Sequence, residues 1–313
     1  MKVYIIHAKE NWIIDRLVEE WEENNIELVT DNIYRADVIW LLSHTKIFDI
    51  PVNYTGKIIT TIHHLVPWKI DKNYQKLLRI IDQRTHFLHA ISPETQKQVK
   101  YYFTKPCIYL PFWNDTAKWS FLDQKKELRD RFQFNSQDFL IGSFQRDTEY
   151  LSILNKTFRP KLEKGPDILV QSLDLLRKYK YPNLRVILTG ERREYVIYEL
   201  EKRGIPFNYF EMINQDLLNQ LYNCLDLYLV TSRVEGGPRA INECGLTKTP
   251  LLSTQVGISS LICHPKSIFE MDKVETILKC EVHPEYNYQR AKLFSIESHM
   301  NVFTDILFKK YLF

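Results

Sequence analysis

Leu225-Asp-Leu-Tyr-Leu-Val-Thr-Ser-Arg-Val-Glu235-Gly-Gly-Pro-Arg-Ala-Ile-Asn-Glu243 is the stretch on which the reading of the chain turns. The apolar run 225–230 has the length and content of a strand buried on both faces. Pro238 suits the first position of a helix, where its missing N–H would be unpaired anyway. Glu235 then stands at the strand's C-terminal edge, and Glu243 on the second turn of the following helix. In doubly wound α/β sheets ligands bind outside the C-terminal ends of the strands. The free N–H groups of a helix starting near Gly237 would face an anion there. Two carboxylates beside an anion site repel phosphate. They suit a ligand that carries hydroxyls next to its phosphates, as a sugar nucleotide does.

Short apolar runs alternate with amphipathic helical patterns on both sides of this stretch. Upstream, strands are expected at 2–6, 26–29, 36–42, 57–62, 85–91 and 107–110, with a helix over 11–23. Ser92 and Pro93 supply the N-cap and first position of another helix. The pattern lapses over 116–135, which reads as a linker. It resumes with strands at 138–143, 184–188, 207–210, 225–230 and 250–253 between helices at 166–179, 193–203 and 215–223. Residues 285–313 read as helical, with Phe294, Phe303 and Phe308 as anchors. Alternation of this kind implies parallel sheets covered on both faces. The expected organisation is an N-terminal Rossmann-like domain over 1–115, a linker over 116–135 and a second such domain over 136–285. Helices over 286–313 would cross back to the first domain.

The bulk numbers agree. A chain of 313 residues suggests about two domains at roughly 150 residues each. Its 44% hydrophobic and 26% charged content is that of a globular protein, and a net charge of +3 gives no reason to expect nucleic acid. None of the five cysteines is in C-x-x-C spacing, which points to a reducing, cytoplasmic setting. The chain begins directly with a strand, so no signal peptide is expected. No apolar stretch reaches the roughly 18 residues of a membrane span.

The segment from Ser232 to Gly245 resembles the E-x7-E signature of retaining GT-B glycosyltransferases of the family-4 type. Lys248-Thr-Pro-Leu-Leu-Ser-Thr-Gln-Val-Gly257 is similar to that family's next strand and glycine turn. Ile141-Gly-Ser-Phe-Gln-Arg146 and Glu163-Lys-Gly-Pro-Asp167 resemble its diphosphate-binding elements, and Thr60-Thr-Ile-His63 the strand end whose His contacts the donor sugar. His89-Ala-Ile-Ser92 and Tyr109-Leu-Pro-Phe-Trp-Asn114 match the strand–Ser–helix and pre-linker segments. The likeness is strongest between Gly142 and Gly257. Two departures stand out. Gln145 occupies a position where the family usually has Gly, and the link over 147–163 is longer than usual. Arg159 or Lys161 in that link could take over a phosphate contact.

The resemblance implies two Rossmann-like domains facing across a cleft, and transfer of a sugar from a nucleoside diphosphate, UDP or GDP, to a hydroxyl of a glycan or lipid-linked glycan, with retention. Arg146 and Lys164 would meet the charge of the departing diphosphate, Arg as a planar fork and Lys as a point charge. Glu243 would hold the ribose diol, Glu235 the transferred sugar, and His63 would join them from the first domain; His64 is its adjacent rival. Gly142, Gly190, Gly236, Gly237, Pro238 and Met212 are expected around the nucleotide. No Asp-x-Asp occurs in the sequence, so no metal or other cofactor is expected. The basic and aromatic segment 97–105 could rest weakly on an anionic membrane. A sugar-nucleotide epimerase on the same scaffold, or a catalytically silent binding subunit, remain open as alternatives. A nicotinamide dehydrogenase is disfavoured, because no G-x-G-x-x-G follows an expected strand.

Overall fold

A computed structural model describes residues 1–9, 13–152, 154–155 and 157–310. The chain divides into two units, Met1–Trp113 with Ile296–Phe313, and Asn114–Ser295.

The first unit is built on β1 (Val3–Ile6), β2 (Val38–Leu41), β3 (Lys57–Ile62), β4 (Phe87–Ala90) and β5 (Cys107–Tyr109), in that spatial order and all parallel. Ile39, Trp40 and Leu41 are wholly buried, as a strand covered on both faces requires. The strand expected at 26–29 shrinks to a single bridge from Val29 to Val3. The cause is local: Leu28 N–H closes a turn on Asn25 O at 2.8 Å and Val29 N–H one on Ile26 O, which removes both from a ladder. The helix Ile13–Asn24 buries Leu17, Val18 and Trp21; its expected start at Asn11 lies outside the described residues. Ser92 caps the helix Pro93–Tyr102 as expected, its Oγ accepting Thr95 N–H at 3.1 Å.

The helix Ile296–Thr304 and the π-type turn Asp305–Lys309 return to this unit. Phe303, Leu307 and Phe308 are fully buried against Trp21 and Trp40, and Trp21 Nε1–H donates to Thr304 Oγ1 at 3.1 Å. The C-terminal helices thus pack back on the N-terminal domain. The end of the expected helical stretch, 311–313, lies outside the described residues.

The second unit contains β6 (Phe139–Ser143), β7 (Thr148–Ser152), β8 (Thr157–Pro160), β9 (Leu184–Thr189), β10 (Phe207–Phe210), β11 (Leu227–Val230), β12 (Leu251–Thr254) and β13 (Ile268–Phe269). Its main sheet runs β10-β9-β6-β11-β12-β13, all parallel, which is the doubly wound order. Winding reverses between β6 and β11. The long link after Arg146 is occupied by the antiparallel hairpin β7–β8.

The stretch 116–135, read as a linker, folds into this second unit. It carries the helix Lys125–Arg131, and Trp119, Leu128 and Phe134 join the buried cluster beneath β11. The helix Pro284–Lys292 also belongs here. It packs so closely on the helix Arg239–Leu246 that a Cβ on Gly245 would stand 2.7 Å from Ala291 Cβ. The chain therefore leaves this unit after Ser295, later than the boundary at 286. Among the described residues no helix is long and apolar enough to cross a membrane.

Candidate functional site

The reversal of winding sets the loops after β6 and β11 side by side, since these strands are neighbours in the sheet. The β6 loop is Phe144-Gln145-Arg146 and the β11 loop runs from Thr231 to Pro238. A third segment, Leu162 to Gly165, leads into the helix Pro166–Tyr179. Gly165 has φ +60°, and a Cβ there would lie 1.9 Å from Thr231 O, so only glycine permits this approach. Thr231 Oγ1 donates to Gly165 O at 2.9 Å. Arg233 grips Asp167 through both Nη atoms, at 2.7 and 2.6 Å, while Arg233 and Val234 N–H both donate to Glu163 O. That bidentate fork holds Asp167's carboxyl below the usual range against the opposing effect of its burial.

This clamp brings Lys164 and Glu235 into contact. Lys164 Nζ is 2.7 Å from Glu235 Oε1, with the two side chains 21% and 10% exposed. Ser232 Oγ donates to the same Oε1 at 2.8 Å and lies 3.3 Å from Gln145 Oε1. Gln145 Nε2–H donates to Lys164 O at 3.0 Å. The departure at Gln145 thus has a structural use: its amide ties the β6 loop to both of the other segments.

The helix Arg239–Leu246 begins one residue after Pro238, which precedes the first turn instead of opening it. Gly236 is buried against the glycine turn after β12: a Cβ on Gly257, at φ +54°, would stand 2.5 Å from Gly236 O. Glu243, one turn further along the helix, is 8% exposed and accepts the Tyr222 hydroxyl at 2.8 Å. Burial, and next the nearby Glu243 charge, push the Tyr222 hydroxyl far above its usual range, so it stays a donor to the carboxylate.

Arg146 pairs with Glu191, in the loop after β9, at 3.0 Å. Gly190 in the same loop has φ +90° with no atom within 4 Å of a built Cβ, and its N–H donates to Glu211 O at 2.8 Å. Met212, just beyond, is exposed. Gly142 does not line this edge: it is enclosed in β6, where a Cβ would meet Leu225 Cδ1 at 2.3 Å. Its missing side chain serves packing.

A fully buried cation that no sequence pattern marks lies next to this edge. Arg193 donates through Nε to Asp147 at 2.5 Å and through Nη1 to Ser143 O at 2.5 Å and Thr189 O at 2.9 Å. It ties the ends of β6 and β9 to the residue that follows Arg146. Asp147 and Thr148 N–H both donate to Arg192 O, and Arg192 holds the left-handed φ of +60°.

His63 lies in the first unit, at the C-terminal end of β3. Its Nε2–H donates to Leu42 O at 3.0 Å, which leaves Nδ1 as an acceptor. Burial holds its pKa down at about 4, so the ring is neutral near pH 7. Among the described residues no group of three or more His, Cys, Asp or Glu side chains is arranged to hold a metal ion.

Residues 143–279 match the model of the family described as glycosyl transferases group 1. That region contains both glutamates, the Lys164–Gly165 corner and Arg146. Among solved structures, the chain is similar to HepE of Anabaena in complex with UDP and glucose, at 12% identity and a TM-score of 0.77, covering 97% of this chain and 98% of that one. Sucrose-phosphate synthase of Thermosynechococcus elongatus matches at 10% identity and a TM-score of 0.71, over 96% of this chain and 79% of that one. WaaG, a glycosyltransferase involved in lipopolysaccharide biosynthesis, matches at 12% identity and 0.60, over 99% and 98%. These likenesses establish the GT-B fold. A search of curated proteins found no match in sequence.

Proposed function

We propose that this protein transfers a sugar from a nucleoside diphosphate to a hydroxyl acceptor, a glycan or lipid-linked glycan, with retention and without a metal. The observation that carries this reading is the Lys164–Glu235 pair at the edge where winding reverses, with Arg146 on one flanking loop and Glu243 on the next helix. A cation at that edge suits a diphosphate, and a carboxylate beside it suits hydroxyls. The complexes of HepE with UDP and glucose and with UDP-glucose support UDP as the carrier.

In this mechanism Glu243 accepts from the ribose diol and Glu235 from hydroxyls of the transferred sugar. The bond between the sugar's anomeric carbon and the phosphate oxygen breaks as negative charge grows on the diphosphate. Lys164 and Arg146 stabilise that charge, Arg146 by exchanging Glu191 for phosphate. The acceptor oxygen bonds to the anomeric carbon on the same face, and its proton passes to the departing phosphate oxygen. Neutral His63, with Nδ1 unprotonated, keeps an acceptor for a hydroxyl at the end of β3. The exposed Lys97, Lys100 and Tyr101 on the helix Pro93–Tyr102 support a weak contact with an anionic membrane that carries the acceptor.

The test is a set of assays with UDP-, GDP- and ADP-sugars with and without candidate acceptors. Product that forms only with acceptor, and keeps the donor's anomeric configuration, supports the reading. A modified nucleotide sugar released without acceptor would replace it with epimerisation.

A further inference from the structure

In the proposed mechanism Lys164 receives the diphosphate, yet its ammonium group already holds an anion. Glu235 Oε1 stands 2.7 Å from Lys164 Nζ and takes a further hydrogen bond from Ser232 Oγ at 2.8 Å. The arrangement is built: Gly165 can approach Thr231 so closely only because it lacks a Cβ, and the Arg233–Asp167 fork holds the two segments together. Gln145 Nε2 secures the Lys164 carbonyl, so the lysine backbone is fixed while its side chain remains free to change partner.

We propose that Glu235 is a stand-in for the donor phosphate, so that binding exchanges one anion for another and selects nucleotides that carry a sugar. The inference rests on the functional reading above and goes beyond it in assigning selectivity to the pair. A bare nucleoside diphosphate that seats on Lys164 displaces the Glu235 carboxylate. It leaves that carboxylate beside phosphate oxygens, with one strong donor lost and a like charge gained. A sugar-bearing donor makes the same exchange but offers hydroxyls to the released carboxylate, which replace the lost donor. Sugar recognition is therefore conditional on phosphate arrival. Spent nucleotide, which has lost its sugar, is held more weakly than donor.

Calorimetric titration of UDP and UDP-glucose into wild type, Glu235→Gln and Lys164→Ala tests this. The amide of Glu235→Gln keeps the shape and removes the charge. UDP should bind this variant about tenfold tighter than wild type, the equivalent of about 1.4 kcal/mol, on the scale of one charge-assisted hydrogen bond. UDP-glucose should gain nothing, so the preference for the sugar-bearing ligand shrinks or inverts. Glu235→Ala, a second route to the same release, should also tighten UDP if the amide variant fails to fold. Lys164→Ala should weaken both ligands. Lys164-dependent binding of UDP by wild type, with no tightening in either Glu235 variant, would overturn this inference and leave the functional reading standing. Wild type that binds neither ligand, nor GDP or ADP and their sugar forms, would overturn both.

Discussion

Replacing Gly165 by Ala should dismantle the candidate site by forcing two backbone segments apart. Two penalties act together. A left-handed φ costs an L-residue about 1–2 kcal/mol. The new Cβ would also lie 1.9 Å from Thr231 O, where real Cβ contacts do not fall under 3.0 Å. The end of β11 and the start of the helix Pro166–Tyr179 must then separate by roughly an ångström. That breaks the 2.9 Å bond from Thr231 Oγ1 to Gly165 O, worth about 1 kcal/mol. The sum is about 3 kcal/mol, or roughly 6–12 °C in melting temperature for a domain of about 150–250 residues. The separation also pulls Lys164 from Glu235. Gly204→Ala, at the end of the helix Glu194–Arg203, is the matched control: φ is +59°, but no atom lies within 4 Å of the added carbon. It should show only the backbone strain, about 1 kcal/mol, with little change in ligand affinity. Thermal melts and nucleotide-sugar titrations of both variants supply the comparison. Equal melting temperatures and affinities for the two would refute the reasoning, because the clash at Thr231 is what separates them.

Other expectations follow from the same structure. His89 is fully buried, with Nε2–H donating to Leu110 O at 2.7 Å and Nδ1 accepting from Thr61 Oγ1 at 2.9 Å, and burial holds its pKa at about 4. His44 and His63 are likewise held at about 4, chiefly by burial and further by neighbouring imidazoles. A depressed histidine contributes stability that is present above the unfolded value of 6.5 and lost as pH falls toward 4, because the unfolded chain binds protons first. His89 alone is worth about 3 kcal/mol; His89→Gln should flatten the acid limb of a stability–pH curve, and an unchanged limb would contradict the assignment. Arg193→Met should destabilise by about 3–5 kcal/mol in denaturant unfolding because it strands the Asp147 carboxylate in the interior, and Asp147→Asn added to it should restore part of the loss. A loss under about 1 kcal/mol would show that the pair is not a structural tie. Glu243→Ala should raise donor KM more than it lowers kcat, whereas Arg146→Ala should cut kcat, since its contact strengthens as charge develops. Unchanged turnover in both would reject the site. Sedimentation with anionic vesicles at low salt should carry down wild type and less of a Lys97→Ala/Lys100→Ala variant; no sedimentation of wild type would remove the membrane contact.

The buried parallel strands were legible because each is a short apolar run with both faces covered, and most sit within two residues of their expected bounds. Ser92-Pro93 and the Glu235-Gly-Gly-Pro corner were legible because their chemistry is local. Other features depend on distant partners. The hairpin β7–β8 stands outside the cores, so it has no apolar run to announce it. The run 26–29 has a strand's composition but spends its N–H groups on turns. Within Glu191-Arg-Arg-Glu194 nothing marks Arg193 as the buried member. Its place is decided by the Ser143 carbonyl, 50 residues away in sequence. The stretch 116–135 is a related case: Trp119, Leu128 and Phe134 are too widely spaced to form a pattern, yet all three join the second core. Gly142 is expected at the nucleotide because its segment resembles a diphosphate-binding element, and in the structure the side chains of Leu225 and Tyr228 enclose it.

In the proposed function the edge formed by β6 and β11 binds a nucleoside diphosphate sugar through Lys164 and Arg146. A thermal-shift panel of UDP-, GDP-, ADP- and CMP-sugars on wild type and on Lys164→Ala/Arg146→Ala tests it most directly. One nucleotide class should stabilise wild type, by about 2.7 kcal/mol at 100 times its Kd, and leave the double variant unmoved. A panel that shifts neither protein, or shifts both equally, would rule out nucleotide-sugar binding at this edge.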